Sequence, residues 1–152
     1  MTIELNPGDN APDFDLPTDT GRVSLSALKG RTVVLYFYPK DDTPGCTAES
    51  CSFRDSHEAF TDAGAEVIGI SSDSVKSHRA FADKHNLPFT LLADIGGSVR
   101  KEWGVGRTLG VIPGRVTYVI DPTGVVRRRF SSQFSPKKHI DEALSVIAAS
   151  KA

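Results

Sequence analysis

The sequence predicts one α/β domain: a central mixed β-sheet flanked by helices, with a β-hairpin near the N-terminus. Three observations lead there. β-branched and aromatic runs of strand length at 32–38, 66–71 and 89–92 alternate with amphipathic helical segments. Two further strand patterns, at 116–120 and 125–130, flank the turn Asp121-Pro122-Thr123-Gly124 and are followed by one last helix. No linker, repeat or low-complexity stretch divides the 152 residues, and 39% hydrophobic content is enough for one well-filled core. Residues 1–152 are therefore expected to form a single domain.

The elements follow in order. Residues 1–12 are an irregular lead-in with Pro7-Gly8 and Ala11-Pro12 as turn signals. Phe14-Asp15-Leu16 and Arg22-Val23-Ser24-Leu25 alternate around Thr18-Asp19-Thr20-Gly21, which predicts a hairpin with Gly21 at positive φ. Ser26 opens a short helical turn that ends at Lys29-Gly30. The run 32–38 fits a buried central strand. After it comes a helix bounded by Gly64, with Phe53, Ala59 and Phe60 among its apolar positions. Beyond the strand at 66–71, Asp73 or Ser74 caps a helix over 75–85. A short helix over 97–103 is closed by Gly104. Ser135-Pro136 starts the final helix, whose Ile140, Leu144, Ile147 and Ala148 share one face.

Composition narrows the function. A net charge of -1 argues against a nucleic-acid binder. Arg127-Arg128-Arg129 reads instead as an exposed strand edge, its middle arginine facing one side and its neighbours the other. Residues 1–10 carry neither a basic n-region nor an apolar h-region, and no apolar run reaches membrane-spanning length. The expected location is cytoplasmic, where a cysteine pair more often does redox chemistry or binds metal than staples a fold. Zinc would need two more ligands, and His57, His78, His85 and His139 show no compact ligand spacing, so they read as surface or packing residues and no metal is expected. The glycine-rich stretch from Gly104 to Gly110 departs from a dinucleotide fingerprint and reads as a loop near the site; no cofactor is expected. Trp103 is read as a packing residue.

Chemistry concentrates between residues 39 and 51, which hold both cysteines. Thr43 is a good N-cap and Pro44 suits the first helical position, so Cys46 falls in the first turn of a helix. Unpaired backbone N–H groups and the helix dipole favour a thiolate there, which makes Cys46 a candidate nucleophile. The alternative is a pair of buried packing cysteines; the Thr-Pro-Gly-Cys helix start weighs against it. Five residues along a helix separate Cα atoms by about 8 to 9 Å. A disulfide needs less than about 7 Å. If both cysteines are helical when reduced, bonding Cys46 to Cys51 therefore requires the first turn, or the turn around Cys51, to unwind.

The stretch Phe37-Tyr38-Pro39-Lys40-Asp41-Asp42-Thr43-Pro44-Gly45-Cys46-Thr47, with Cys51 and Phe53-Arg54-Asp55, resembles the peroxiredoxins, and within them the bacterioferritin comigratory protein or peroxiredoxin Q group. Pro39, Thr43 and Cys46 match the family's Pro-x-x-x-Thr-x-x-Cys pattern, and similarity extends from Ala11-Pro12-Asp13-Phe14 to Val119-Ile120-Asp121. The resemblance implies a thioredoxin-like fold and antioxidant reduction of hydrogen peroxide and organic hydroperoxides. It makes Cys46 the peroxidatic and Cys51 the resolving cysteine, and it assigns the family arginine to Arg115, with Arg107 and Arg54 as alternatives. It also implies a thioredoxin-like reductant, with glutaredoxin or glutathione as alternatives, and a monomer, with a dimer as the alternative.

Peroxide cleavage needs a thiolate attacking one oxygen while the other leaves as hydroxide or alkoxide. Thr43 and the first-turn N–H groups would hold the peroxide, Arg115 would add positive charge, and Pro39 would shape the loop and exclude water. Glu49 would either orient an arginine or stand as a solvated helical residue. The Cys46 sulfenic acid would condense with Cys51 and be reduced by thiol–disulfide exchange. Two other functions compete. A thioredoxin-type oxidoreductase would place two residues between its cysteines rather than four; a redox-sensing or holdase module would bind partners according to the disulfide and consume little peroxide.

Overall fold

The computed structural model describes residues 5–38, 40–41, 44–105, 107–108, 112–113, 115–131 and 136–150. A hairpin of β1 (Asp15–Thr18) and β2 (Gly21–Ser24) comes first, with Gly21 at φ 144° as its turn requires. β3 (Thr32–Phe37), β4 (Ala65–Ser71) and β5 (Thr90–Ala93) follow and run parallel to one another. Two-residue strands β6 (Arg107–Thr108) and β7 (Ile112–Pro113) pair separately. The last strands are β8 (Val116–Ile120), antiparallel to β3, and β9 (Val126–Ser131), antiparallel to β8. Together they form a mixed central sheet in the order β5-β4-β3-β8-β9.

β3 sits at the centre because both of its faces are apolar. Val33, Leu35 and Phe37 face one core with Ile68, Leu92, Trp103 and Tyr118; Val34, Tyr36 and Tyr38 face the other with Phe53, Phe60, Phe81 and Ile140. This period of two is what a doubly covered strand demands. The helices are α1 (Pro44–Asp55), α2 (His57–Asp62), α3 (Val75–His85), α4 (Ser98–Glu102) and α5 (Pro136–Ser150). No described helix is long and apolar enough to cross a membrane.

Tyr36 fastens α1 to the sheet. Its ring stacks on Phe53 at 4.5 Å between centroids, and its hydroxyl lies 3.0 Å from Ser50 Oγ. The neighbouring strand makes room with Gly69, where a Cβ would come within 2.7 Å of Tyr36 Cζ. Only glycine fits beneath that ring.

The structure departs from the expected elements in two places and decides a third that the sequence left open. The helix expected up to Gly64 is two helices, broken at Ser56 (φ -101°, ψ 5°), where Asp55 and Ser56 are weak helix-interior residues. Ala59 is exposed, and Phe60 alone buries the face of α2. Of the two candidate caps for α3, Ser74 does the capping, its Oγ accepting from Ser77 N at 3.1 Å; Asp73 is drawn to Asp41 instead. The arginine run sits on edge strand β9 as expected, Arg128 reaching Glu142 on α5 while Arg127 and Arg129 turn to Asp121 and Tyr118. Trp103 is fully buried. The Ala148 side chain and Ser135 lie outside the described residues.

Candidate active site

The site forms where the C-terminal end of β3 meets the start of β8. Antiparallel pairing sets Phe37 opposite Val116, so Arg115, the residue before β8, is carried to the end of β3 from which the chain passes into α1. Cys46 lies in the first turn of α1, fully buried. Arg115 Nη2 donates to Cys46 Sγ at 3.4 Å, and Nη1 donates to Glu49 Oε1 at 3.0 Å. One guanidinium thus bridges a sulfur and a carboxylate one helical turn apart.

Glu49 is fully buried, which rules out its reading as a solvated residue and leaves it holding the arginine. Burial pushes its carboxyl from the ordinary 4.5 up to about 8, and the opposing charge of Arg115 offsets only part of that rise. Its second oxygen, Oε2, has no hydrogen-bond partner among the described residues. His139 of α5 approaches that oxygen, with Nδ1 at 3.4 Å; the same nitrogen is hydrogen-bonded to Thr117 Oγ1 at 2.7 Å. Burial likewise holds the Tyr36 phenol well above its usual range, so it stays protonated beside Ser50.

Both cysteines are free thiols; Cys51 is half-buried. They share the continuous helix α1, so the helical separation of about 8 to 9 Å applies and disulfide formation must unwind part of it. Arg54 is not the site arginine, because it donates to His85 O at 2.7 Å and Asp55 at 3.0 Å. Pro39, Thr43 and the Arg107 side chain lie outside the described residues, as does part of the glycine-rich stretch. Sequence reasoning missed His139 and Thr117. No local pattern marks them: they reach Glu49 only through the docking of α5 beside β8.

Residues 7–129 match the AhpC/TSA family, and the chain belongs to that family. Its relatives include peroxiredoxins of the Q type. It is 56% identical over 150 residues to the chloroplastic peroxiredoxin Q of Sedum lineare, covering 97% of this chain and 81% of that one. With the Arabidopsis thaliana chloroplastic peroxiredoxin Q it shares 56% identity over 148 residues, 96% of this chain and 68% of the other. Among solved structures, peroxidoxin BcpB of Mycobacterium tuberculosis superposes with a TM-score of 0.88 at 40% identity, covering 96% and 98% of the two chains. The bacterioferritin comigratory protein of Xanthomonas campestris, described for its alkyl peroxide reduction activity, gives 0.85 at 30% identity over 100% of both chains. The fold is thioredoxin-like, as the resemblance implies.

Proposed function

We propose that this chain is a thiol peroxidase in which Cys46 reduces hydrogen peroxide and organic hydroperoxides and Cys51 resolves the product. The observation that carries the reading is the Arg115 guanidinium 3.4 Å from a buried sulfur in the first turn of α1. The Cys46 thiolate attacks one peroxide oxygen and the O–O bond breaks; the departing oxygen takes a proton and leaves as water or alcohol, and the sulfur becomes a sulfenic acid. Arg115 supplies fixed charge beside the attacking sulfur, and Glu49 holds the guanidinium in place. With α1 unwound, the Cys51 thiol attacks the sulfenic sulfur, water leaves, and a Cys46–Cys51 disulfide forms. A dithiol donor of the thioredoxin kind returns the pair to thiols by exchange.

An activity that consumes a dithiol suits a reducing compartment, and the cytoplasm is the location we propose. Ile95 is the one large exposed hydrophobic among the described residues, which supports a monomer over a dimer. Peroxide-dependent oxidation of reduced thioredoxin tests the central reading. Cys46→Ser should abolish it, and Cys51→Ser should consume one equivalent of peroxide and stop at the sulfenic acid. Unchanged turnover of the Cys46→Ser protein would refute the assignment.

A further inference from the structure

Just before α1 a buried polar hub fastens the chain at Asp41. Its carboxylate accepts from the Tyr38 hydroxyl at 2.6 Å and from Ser77 Oγ at 2.9 Å, and it meets His78 Nδ1 at 2.7 Å. The Asp41 backbone N–H donates to Asp73 Oδ2 at 2.7 Å, an oxygen that also accepts from Ser71 Oγ at 2.6 Å. On its far side His78 Nε2 lies 2.9 Å from Leu92 O. Asp41 is 7% and His78 3% exposed, so these bonds face little competition from water. A loop position is thereby tied to β4, α3 and β5 together.

The placement matters because Asp41 precedes Pro44, the first residue of α1, by only two intervening residues. α1 must unwind for Cys46 to reach Cys51, and the hub holds the chain three positions before the first residue of that helix. The carboxylates of Asp41 and Asp73 and the His78 ring also bring ligand-type atoms within 4.8 Å of one another. Each of these groups already has partners within the chain, which makes the cluster a fastening rather than a cation site.

Building on the Cys46–Cys51 reading, we propose that Asp41 and His78 are positioning residues that hold the segment leading into α1 in the form that keeps the helix wound. Their hydrogen bonds then set the balance between the wound helix, which meets peroxide, and the unwound segment, in which the disulfide forms. Loosening the hub should speed resolution and protect Cys46 from a second oxidation, while leaving the first reaction with peroxide unchanged.

Tyr38→Phe and Ser77→Ala each delete one donor to Asp41, and the first of them keeps the aromatic ring that stacks on Tyr36. Rapid mixing with peroxide separates a peroxide-dependent phase, sulfenic acid formation, from a peroxide-independent one, disulfide formation. Mass spectrometry at excess peroxide reports the sulfinic fraction. We expect each variant to accelerate the second phase by about 2- to 10-fold, the worth of one net hydrogen bond. The sulfinic fraction should fall in proportion, with the first phase unaltered. A second phase unchanged or slowed overturns the proposal, and so does a parallel slowing of both phases, the mark of general structural damage. Absence of any peroxide-independent phase in the unmutated protein would sink the Cys46–Cys51 reading itself.

Discussion

Glu49→Gln gives a direct measure of what burying the Glu49 carboxyl does to stability. An acid raised to about 8 on folding still holds its proton at pH values where the unfolded chain, at an ordinary 4.5, has released it. The sign therefore runs opposite to that of a salt-bridged surface carboxylate: stability falls as pH rises from 4.5 to about 8 and then levels off. The slope is about 1.4 kcal/mol per pH unit, so between pH 5 and 8 the Glu49 contribution declines by about 4 kcal/mol. Glutamine has nearly the same shape and can accept the Arg115 Nη1 bond, but it has no proton to lose. Urea unfolding of the reduced protein at pH 5, 6, 7 and 8 supplies the comparison. The unmutated chain should lose stability relative to the glutamine variant by about 4 kcal/mol across that range. Titrating groups remote from Glu49 are common to both proteins and cancel in the difference. A difference that stays constant within about 1 kcal/mol would refute the reasoning, for it would mean that the Arg115 charge overcomes burial and keeps Glu49 ionised throughout.

Two other substitutions probe the framework of the site. Arg115→Lys replaces a fork that reaches both Glu49 and Cys46 with a single point charge, and the second-order rate of Cys46 with peroxide should drop about 100-fold; competition for peroxide against a reference peroxidase would measure it, and a change below about threefold would count against the bridging role. Gly69→Ala drives a Cβ to 2.7 Å from Tyr36 Cζ, a backbone-to-ring collision inside a packed sheet. It should cost about 1 to 3 kcal/mol, read as a lower urea midpoint at constant m-value.

Strand order along the chain and the seat of Cys46 were legible because each rests on local signals. A continuous β-branched and aromatic run defines β3, and Ser74, Gly21 and Gly104 supply a cap and positive-φ turns elsewhere in the chain. What stayed open was decided by residues distant in sequence. Glu49 carries no local mark telling a solvated glutamate from a buried one; β8 settles it by bringing Arg115, and α5 by bringing His139, whose Nδ1 stands 3.4 Å from its second oxygen. The break at Ser56 was hidden by the opposite fault, since Phe53 and Phe60 sit two helical turns apart and so mimic one continuous apolar face. The sequence leaves His78 as a surface or packing residue; it is buried, and its ring also bonds the segment that leads to the cysteine.

The topology also explains why these particular groups meet. In a parallel sheet every strand's C-terminal end would point to the same edge, and only residues following strands could collect around Cys46. Setting β8 antiparallel to β3 lets a residue preceding a strand, Arg115, join them without a long side chain having to cross the sheet. The cation is then fixed by backbone pairing on the strand side and by Glu49 on the helix side. Unwinding the first turn of α1 would carry Cys46 away from a guanidinium that Glu49 and β8 still hold. On the proposed mechanism, the same movement that exposes the oxidised sulfur to Cys51 would therefore remove it from the charge that favours attack on a second peroxide, coupling resolution to protection from over-oxidation.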